Sequence, residues 1–508
     1  MSNNAKNLIG GNEMKKTLAM LLAAAMVIGL VACGQAAAPA TEAAATEAAT
    51  TAAPATTAAA TTAAATEAAT TAAATEAATE AAPATITEVT YYCSVGAYLI
   101  TLQEEIDKWN EGEGADKGVY LNLISNINTY STDLTALLEA GTHYDLEDVN
   151  TSHQDWIEKG WVMDLRTIDD AELQDLIKSY EPYIQKGINI QADHLHALPL
   201  EVVPIKMAVN TDLFDKNNLE LPKTWDDVYE CAKVITENGN GVEFGYGATT
   251  WGSLWSRLTF KASMSSTGKA WWDPNTETYD WSQFKKPAET VKKMFEDGYT
   301  LGMDDLAIDP IRAQFAEGVV GMFPAPSYDY AVYTSQFPAK CNWTVIDMPT
   351  IEPGEAPYKG VYLDRTGCSI DKVAYDAADD VKKAAIVDAF IFLNSDYLNG
   401  KIYESGGMIP YKADVIANAT PDANLGPQWA LFGDITNYTS MALFPDSLIP
   451  LEGEKANVCF QNWCHTPGQA FEEVVADLNE RYNAAYQELK ADGDIDLSAY
   501  IYSYDIKR

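Results

Sequence analysis

The chain predicts an α/β fold of mainly parallel sheets flanked by helices, and three stretches carry that prediction. Between residues 86 and 149, β-formers and segments with helical spacing alternate as strand, helix, strand, helix, strand. That order implies a parallel sheet covered by helices. From Ala197 to Asn210 a run of apolar and β-branched residues is broken by Pro199 and Pro204. It reads as strands at a sheet edge or as a crossing between two sheets, and not as a helix. Further on, Leu221-Pro222-Lys223-Thr224-Trp225-Asp226-Asp227 opens a helix. Thr224 is the N-cap candidate, Asp226 and Asp227 sit at the positive end of the helix dipole, and Val228, Cys231, Ala232, Val234 and Ile235 recur at helical spacing to about Thr236. A shorter helix just before it is expected to be capped by Thr211 or Asp212.

The chain has 508 residues, room for two or three domains. Its 34 basic against 73 acidic residues argue against nucleic acid and against an anionic membrane surface as partner. Met14 to Cys33 combines Lys15-Lys16, an apolar core and Leu30-Val31-Ala32-Cys33-Gly34. This is the order of a secretion signal, too short between its flanks for a permanent transmembrane helix. Its end resembles the lipobox of bacterial lipoproteins, which implies cleavage before Cys33 and diacylation of that thiol, with palmitate-type chains as the membrane anchor. From Ala36 to Thr85 every residue is Ala, Thr, Glu or Pro. Nothing there builds a core, so residues 34–85 read as a tether spanning on average about 40 Å.

Within the folded part, Ile86 to Tyr92 alternates as a first strand and Leu99 to Trp109 repeats as a helix. Val119 to Ile124 is a second strand, Thr132 to Ala140 a helix, and Asp148-Val149 ends a third strand. Ligands of such sheets bind outside the carboxyl ends of the strands, here Ser94 to Tyr98 and Asn150 to Trp156. Gly245 to Trp251 reads as a strand, with Trp255 one helical turn beyond Trp251. Lys285 to Gly298 is an amphipathic helix with its Gly stop, Val381 to Asn394 a helix continued by Tyr397 to Tyr403, and Phe471 to Lys490 a long terminal helix.

Leu198-Pro199, Asn210, Leu213-Phe214, Leu219, Pro222 and Thr224-Trp225-Asp226 resemble the family 1 extracellular solute-binding proteins, maltose-binding-protein-like carbohydrate receptors of ABC importers. Phe315 to Tyr328 and Ser405 to Pro410 resemble two more motifs of that family, while Val209 and Asn217-Asn218 depart from its pattern. The resemblance implies a two-lobed periplasmic-binding-protein-like fold whose lobes are joined by hinge crossings. Residues 86–200 and 361–408 would form lobe 1, and 201–360 and 409–508 lobe 2. It further implies a monomeric, extracytoplasmic receptor with a carbohydrate ligand and permease subunits as partners, held to the membrane by lipid alone. In relatives the loop matching Asn150 to Trp156 contributes polar sugar contacts, which makes Asp155 and His153 candidates. The same alignment places a sugar-stacking ring at Tyr328.

A sugar needs paired hydrogen bonds for its hydroxyls and prefers an aromatic ring against its C–H face. The ring candidates are Trp251, Trp255, Tyr328 and Trp463. Glu201 and Arg365 fall on the expected crossings, as cleft-facing contacts or as an interlobe salt bridge. Of seven Cys, Cys459 and Cys464 stand near His465; their spacing fits no zinc pattern, and free thiols, a disulfide and a metal held with His465 remain open, in that order. Asp273 to Glu277 opens like a calcium loop without its glycine and twelfth-position acid. His194 and His196 read as a surface or hinge pair. No phosphate loop, Gly-x-Ser-x-Gly or His-Glu-x-x-His occurs, so neither catalysis, a metal nor a cofactor is expected. The rival readings are a receptor for an amino acid, peptide or polyamine, a secreted carbohydrate-active enzyme, and a surface adhesin.

Overall fold

The computed structural model describes residues 86–93, 95–125, 130–148, 154–248, 266–302, 308–354, 356–440, 444–446, 448–493, 497 and 500, all within the unit Thr85–Arg508. The first sheet holds β1 (Thr87–Cys93), β2 (Val119–Ser125) and β3 (Leu146–Asp148), in the order β14-β3-β1-β2 with β14 at Ser369–Ile370. β1 runs parallel to both β2 and β3, and β14 is antiparallel to β3. The parallel core follows from the helical connections, which carry the chain back before each new strand. The helix Leu99–Glu111 buries Leu102, Ile106 and Trp109, one stripe at helical spacing, and Trp109 stacks on Phe392 of the helix Asp380–Leu393.

Two short hairpins, β4 (Ile190–Gln191) with β5 (His194–Leu195) and β8 (Trp272–Asp273) with β9 (Thr278–Tyr279), lie outside the main sheets. The Asp273 to Glu277 segment is thus a hairpin turn, in which Asp273 accepts the backbone N–H of Asn275 at 2.9 Å. The second sheet is built on β6 (Pro199–Asn210), with β7 (Phe244–Ala248), β10 (Thr300–Gly302), β11 (Val320–Pro326), β12 (Trp343–Ile346), β13 (Gly360–Thr366), β15 (Ile409–Pro410) and β16 (Tyr438–Ser440). Its main path is β10-β7-β11-β6-β13-β16, and β12 and β15 also pair with β6.

β6 is therefore the central strand and not an edge, despite its two prolines. Along one side it pairs with β15 at Glu201 and Val202 and with β11 from Ile205 to Val209. Pro204 falls in the gap between those partners. The N–H of Ser327 donates to the Pro204 carbonyl at 3.0 Å, so the proline ring nitrogen faces that same gap, where no ladder bond is lost. On the opposite side β13 and β12 complete the pairing. Both faces of β6 are covered: Ile205, Met207 and Val209 join one apolar core and Val202 and Ala208 another. All twelve residues are buried, which is why the strand reads as a continuous apolar run.

The strand also passes from one core to the next. Leu198 and Leu200 belong to the core under the first sheet, which draws residues from Val89 to Leu200 and again from Cys368 to Met408. The cores of the second sheet collect residues from Val202 to Leu363 and from Tyr403 to Tyr500, with Tyr183 packed at their margin.

Beyond β6, the helix Trp225–Asn238 is closed by a full capping box. Thr224 accepts from the N–H of Asp227 at 3.2 Å, and Asp227 accepts from the N–H of Thr224 at 2.9 Å. The shorter helix Thr211–Asn217 is capped by Asn210, one residue earlier than expected. Asp212 is free for another task and pins Asn342 through the backbone N–H at 2.9 Å and the side-chain amide at 2.8 Å. The terminal helix runs Phe471–Asp492. No helix among the described residues is long and apolar enough to cross a membrane.

Candidate functional site between the two sheets

Strand direction locates the site. Pro326, at the carboxyl end of β11, lies opposite Ile205, and β7 and β10 run parallel to β11. The carboxyl ends of all three therefore point toward the Pro199 end of β6, where the chain enters from the first sheet. On the other side, Ser369 of β14 lies opposite Glu147, so the residues following β13 arrive at the Asp148 end of β3. Both sheets thus aim their ligand-binding ends at the crossing formed by β6 and β13.

The floor of this junction is polar and buried. Glu201 and Arg365 are cross-strand partners on β6 and β13 and form an ion pair with side chains only 4% and 10% exposed. Asp148, at the end of β3, accepts from the hydroxyls of Tyr91 and Tyr98, each at 3.4 Å, and has the Cys93 thiol at 3.9 Å. A small cavity beside them is lined by Tyr91, Tyr98, Leu200, Gly367 and Cys368. Burial raises the carboxyls of both Asp148 and Glu201, and the Arg365 guanidinium offsets part of that rise. Burial works most strongly against the charge on Arg365, but Glu201, Tyr98 and Asp148 together outweigh it and hold the group above its usual range. The Cys93 thiol is pushed up to about 12, by burial first and by Asp148 second, which makes it an inert thiol. Such a floor offers fixed acceptors and donors of both signs, suited to orienting a polar solute.

Glu201 and Arg365 meet at the crossing as a salt bridge. Tyr328 follows the carboxyl end of β11 and is half-buried, with the Arg312 guanidinium 5.8 Å from its ring centroid. Asp155 lies exposed in the first turn of the helix Gln154–Glu158, which follows β3. Trp463 is a correction. Its ring is 2% exposed, with the Lys292 ammonium 4.4 Å from its centroid, Phe471 edge-on at 5.3 Å and its indole N–H bonded to the Gln469 carbonyl at 2.9 Å. That is core packing, and no ring face is left for a sugar. Trp251, Trp255, His153 and Cys33 lie outside the described residues.

The remaining six cysteines are free thiols, including Cys459 and Cys464. Among the described residues no cluster of His, Cys, Asp and Glu is arranged to hold a metal. Sequence reasoning passed over Asp148 and Tyr98 as site residues, although both lie at the strand ends it had marked. Their signal is a polar residue closing a strand and an aromatic opening the next helix, which becomes specific only once Arg365 is known to sit beside them.

The comparisons with known proteins agree with this geometry. The family model for bacterial extracellular solute-binding proteins matches residues 98–378. A search of curated sequences returns no significant match. Among solved structures, an ABC substrate-binding protein of Listeria monocytogenes in complex with cycloalternan is similar at a TM-score of 0.58 and 16% identity, covering 81% of this chain and 100% of that one. A solute-binding protein of Thermotoga lettingae bound with α-D-tagatose gives 0.59 and 18%, covering 79% and 100%. The maltose/maltodextrin-binding domain of Bdellovibrio bacteriovorus bound to maltotriose gives 0.56 and 15%, covering 80% and 99%. At these identities the likenesses establish the two-lobed α/β fold. The family match spans more than half of the chain, and with it this chain belongs to the bacterial extracellular solute-binding proteins.

Proposed function

We propose that the protein is a lipid-anchored receptor that captures a carbohydrate of oligosaccharide size between its lobes and delivers it to an ABC-type import permease. The observation that carries this reading is the convergence of both sheets' carboxyl ends on the Glu201–Arg365 crossing. A solute held there touches both lobes only when they close on it, so binding shifts the population toward the closed form that a permease recognises. Tyr328 supplies a stacking ring from lobe 2, and Trp251 and Trp255 are further ring candidates from the same lobe. Asp155 and the polar floor orient the hydroxyls. Oligosaccharide ligands in the Listeria and Bdellovibrio structures support the substrate class.

The remaining organisation belongs to the same reading. Residues 1–33 hold the leader and its lipidation cysteine: the cut falls before Cys33, whose thiol is acylated. Residues 34–85 are the tether that keeps a monomeric receptor at the outer face of the membrane. Lobe 1 comprises 86–200 and the return from Gly367 to 408, and lobe 2 comprises 201–366 and 409–508; the boundary expected at 361 moves because β13 pairs along β6 in the second sheet. The sugar leaves the site chemically unchanged. A thermal-shift screen of neutral oligosaccharides, amino acids, peptides and polyamines tests this, since a ligand at 100 times its Kd adds about 2.7 kcal/mol of stability. The expected outcome is a shift with at least one oligosaccharide and no product by chromatography. Turnover of the glycan, or shifts only with amino acids, peptides or polyamines, would refute it.

A further inference from the structure

Arg312 sits on the helix Ile308–Ala316, which follows β10. Its guanidinium is committed on two edges: Nη1 donates to Asp309 at 3.1 Å and Nη2 to Asp329. Its Cζ lies 5.8 Å from the centroid of the Tyr328 ring, within cation–π range. Asp329 is the residue immediately after Tyr328, and its side chain is fully buried. The backbone on the other side of Tyr328 is also fixed, because the N–H of Ser327 donates to the Pro204 carbonyl at 3.0 Å. The turn is closed by the N–H of Tyr330 donating to the Ser327 carbonyl at 3.0 Å, and the Tyr330 hydroxyl accepts from the N–H of Gly426 at 2.8 Å. A single guanidinium therefore ties the helix Ile308–Ala316 to the short helix Asp329–Ala331 that follows β11, beside the Tyr328 ring.

We propose that Arg312 is a positioning residue for the Tyr328 ring, pre-setting the stacking platform of lobe 2 before the sugar arrives. The proposal rests on reading Tyr328 as that platform. A buried ion pair contributes little net stability compared with apolar packing of the same volume, so its worth here lies in geometry. A fork-shaped, planar group can hold two carboxylates and face a ring at once, which the compact ammonium of lysine cannot. A ring held in its bound orientation loses less freedom on binding, which is how pre-organisation raises affinity.

The test combines Arg312→Lys and Tyr328→Ala, singly and together, in the full chain. Raffinose and maltotriose are titrated calorimetrically, and protein labelled with 3-fluorotyrosine is observed by 19F NMR without sugar. The Tyr328 resonance, assigned by its disappearance in Tyr328→Ala, is expected to shift in Arg312→Lys. Affinity is expected to fall roughly 2- to 10-fold in Arg312→Lys, and much less when the same change is made in Tyr328→Ala. An unmoved Tyr328 resonance overturns the proposal, as does an equal loss of affinity in both backgrounds. If Tyr328→Ala binds as well as the parent, the platform reading fails instead, and the NMR shift still decides whether Arg312 sets the ring. Should Arg312→Lys not fold, Asp309→Asn releases only the half-exposed carboxylate and carries the same measurements.

Discussion

Glu147 on β3 is a carboxyl only 1% exposed, whose electrostatic neighbours are Asp371 and the backbone N–H of Tyr144. Burial first, and the charge of Asp371 second, push it well above the ordinary value of 4.5. An acid raised in the folded state keeps a proton that the unfolded chain releases. Its contribution to stability therefore falls as pH rises from the unfolded value toward the folded one, by up to ~1.4 kcal/mol per pH unit. Glu147→Gln removes that dependence, so the variant should gain on the parent as pH rises above the ordinary carboxylate range in urea unfolding. A stability difference that does not change with pH would contradict this. Tyr328 and Trp463 form a second contrast, since one ring is half-buried at a strand's carboxyl end and the other is core. Tyr328→Ala should weaken binding of a sugar ligand with little change in melting temperature. Trp463→Phe should lower the melting temperature and leave affinity unchanged, as read by calorimetry of the same two variants.

Local chemistry was legible where a single turn decides the structure, as at the helix Trp225–Asn238. Thr224 and Asp227 are three residues apart, and their capping box needs nothing from elsewhere in the chain. Thr224→Ala should cost about 1 kcal/mol in denaturant unfolding, since two backbone N–H groups lose part of their reciprocal arrangement. A change below experimental error would show that tertiary packing alone holds the helix start. β6 was less legible because Pro204 is tolerated only by a change of partner from β15 to β11, and those strands lie far along the chain. Trp463 was misread for a similar reason. A tryptophan before a long helix looks the same whether it faces a cleft or meets Lys292 and Phe471.

At the scale of the whole molecule, the sequence order of strands and helices and the three family-like motifs sufficed for the two-lobed fold, because secondary-structure period and crossing motifs are written contiguously. The site was legible only in part. Glu201 and Arg365 were found on their crossings, while Asp148 and Tyr98 reach the same floor from the first lobe through β3 and the helix Leu99–Glu111. Their meeting is a property of the assembled sheets and not of any stretch of residues. The account depends on those sheets being able to close over a solute at that floor. Small-angle X-ray scattering of the protein, with and without a saturating oligosaccharide identified by the thermal-shift screen, tests this most directly: the radius of gyration should fall on saturation, and an unchanged radius at full occupancy would contradict the hinge mechanism.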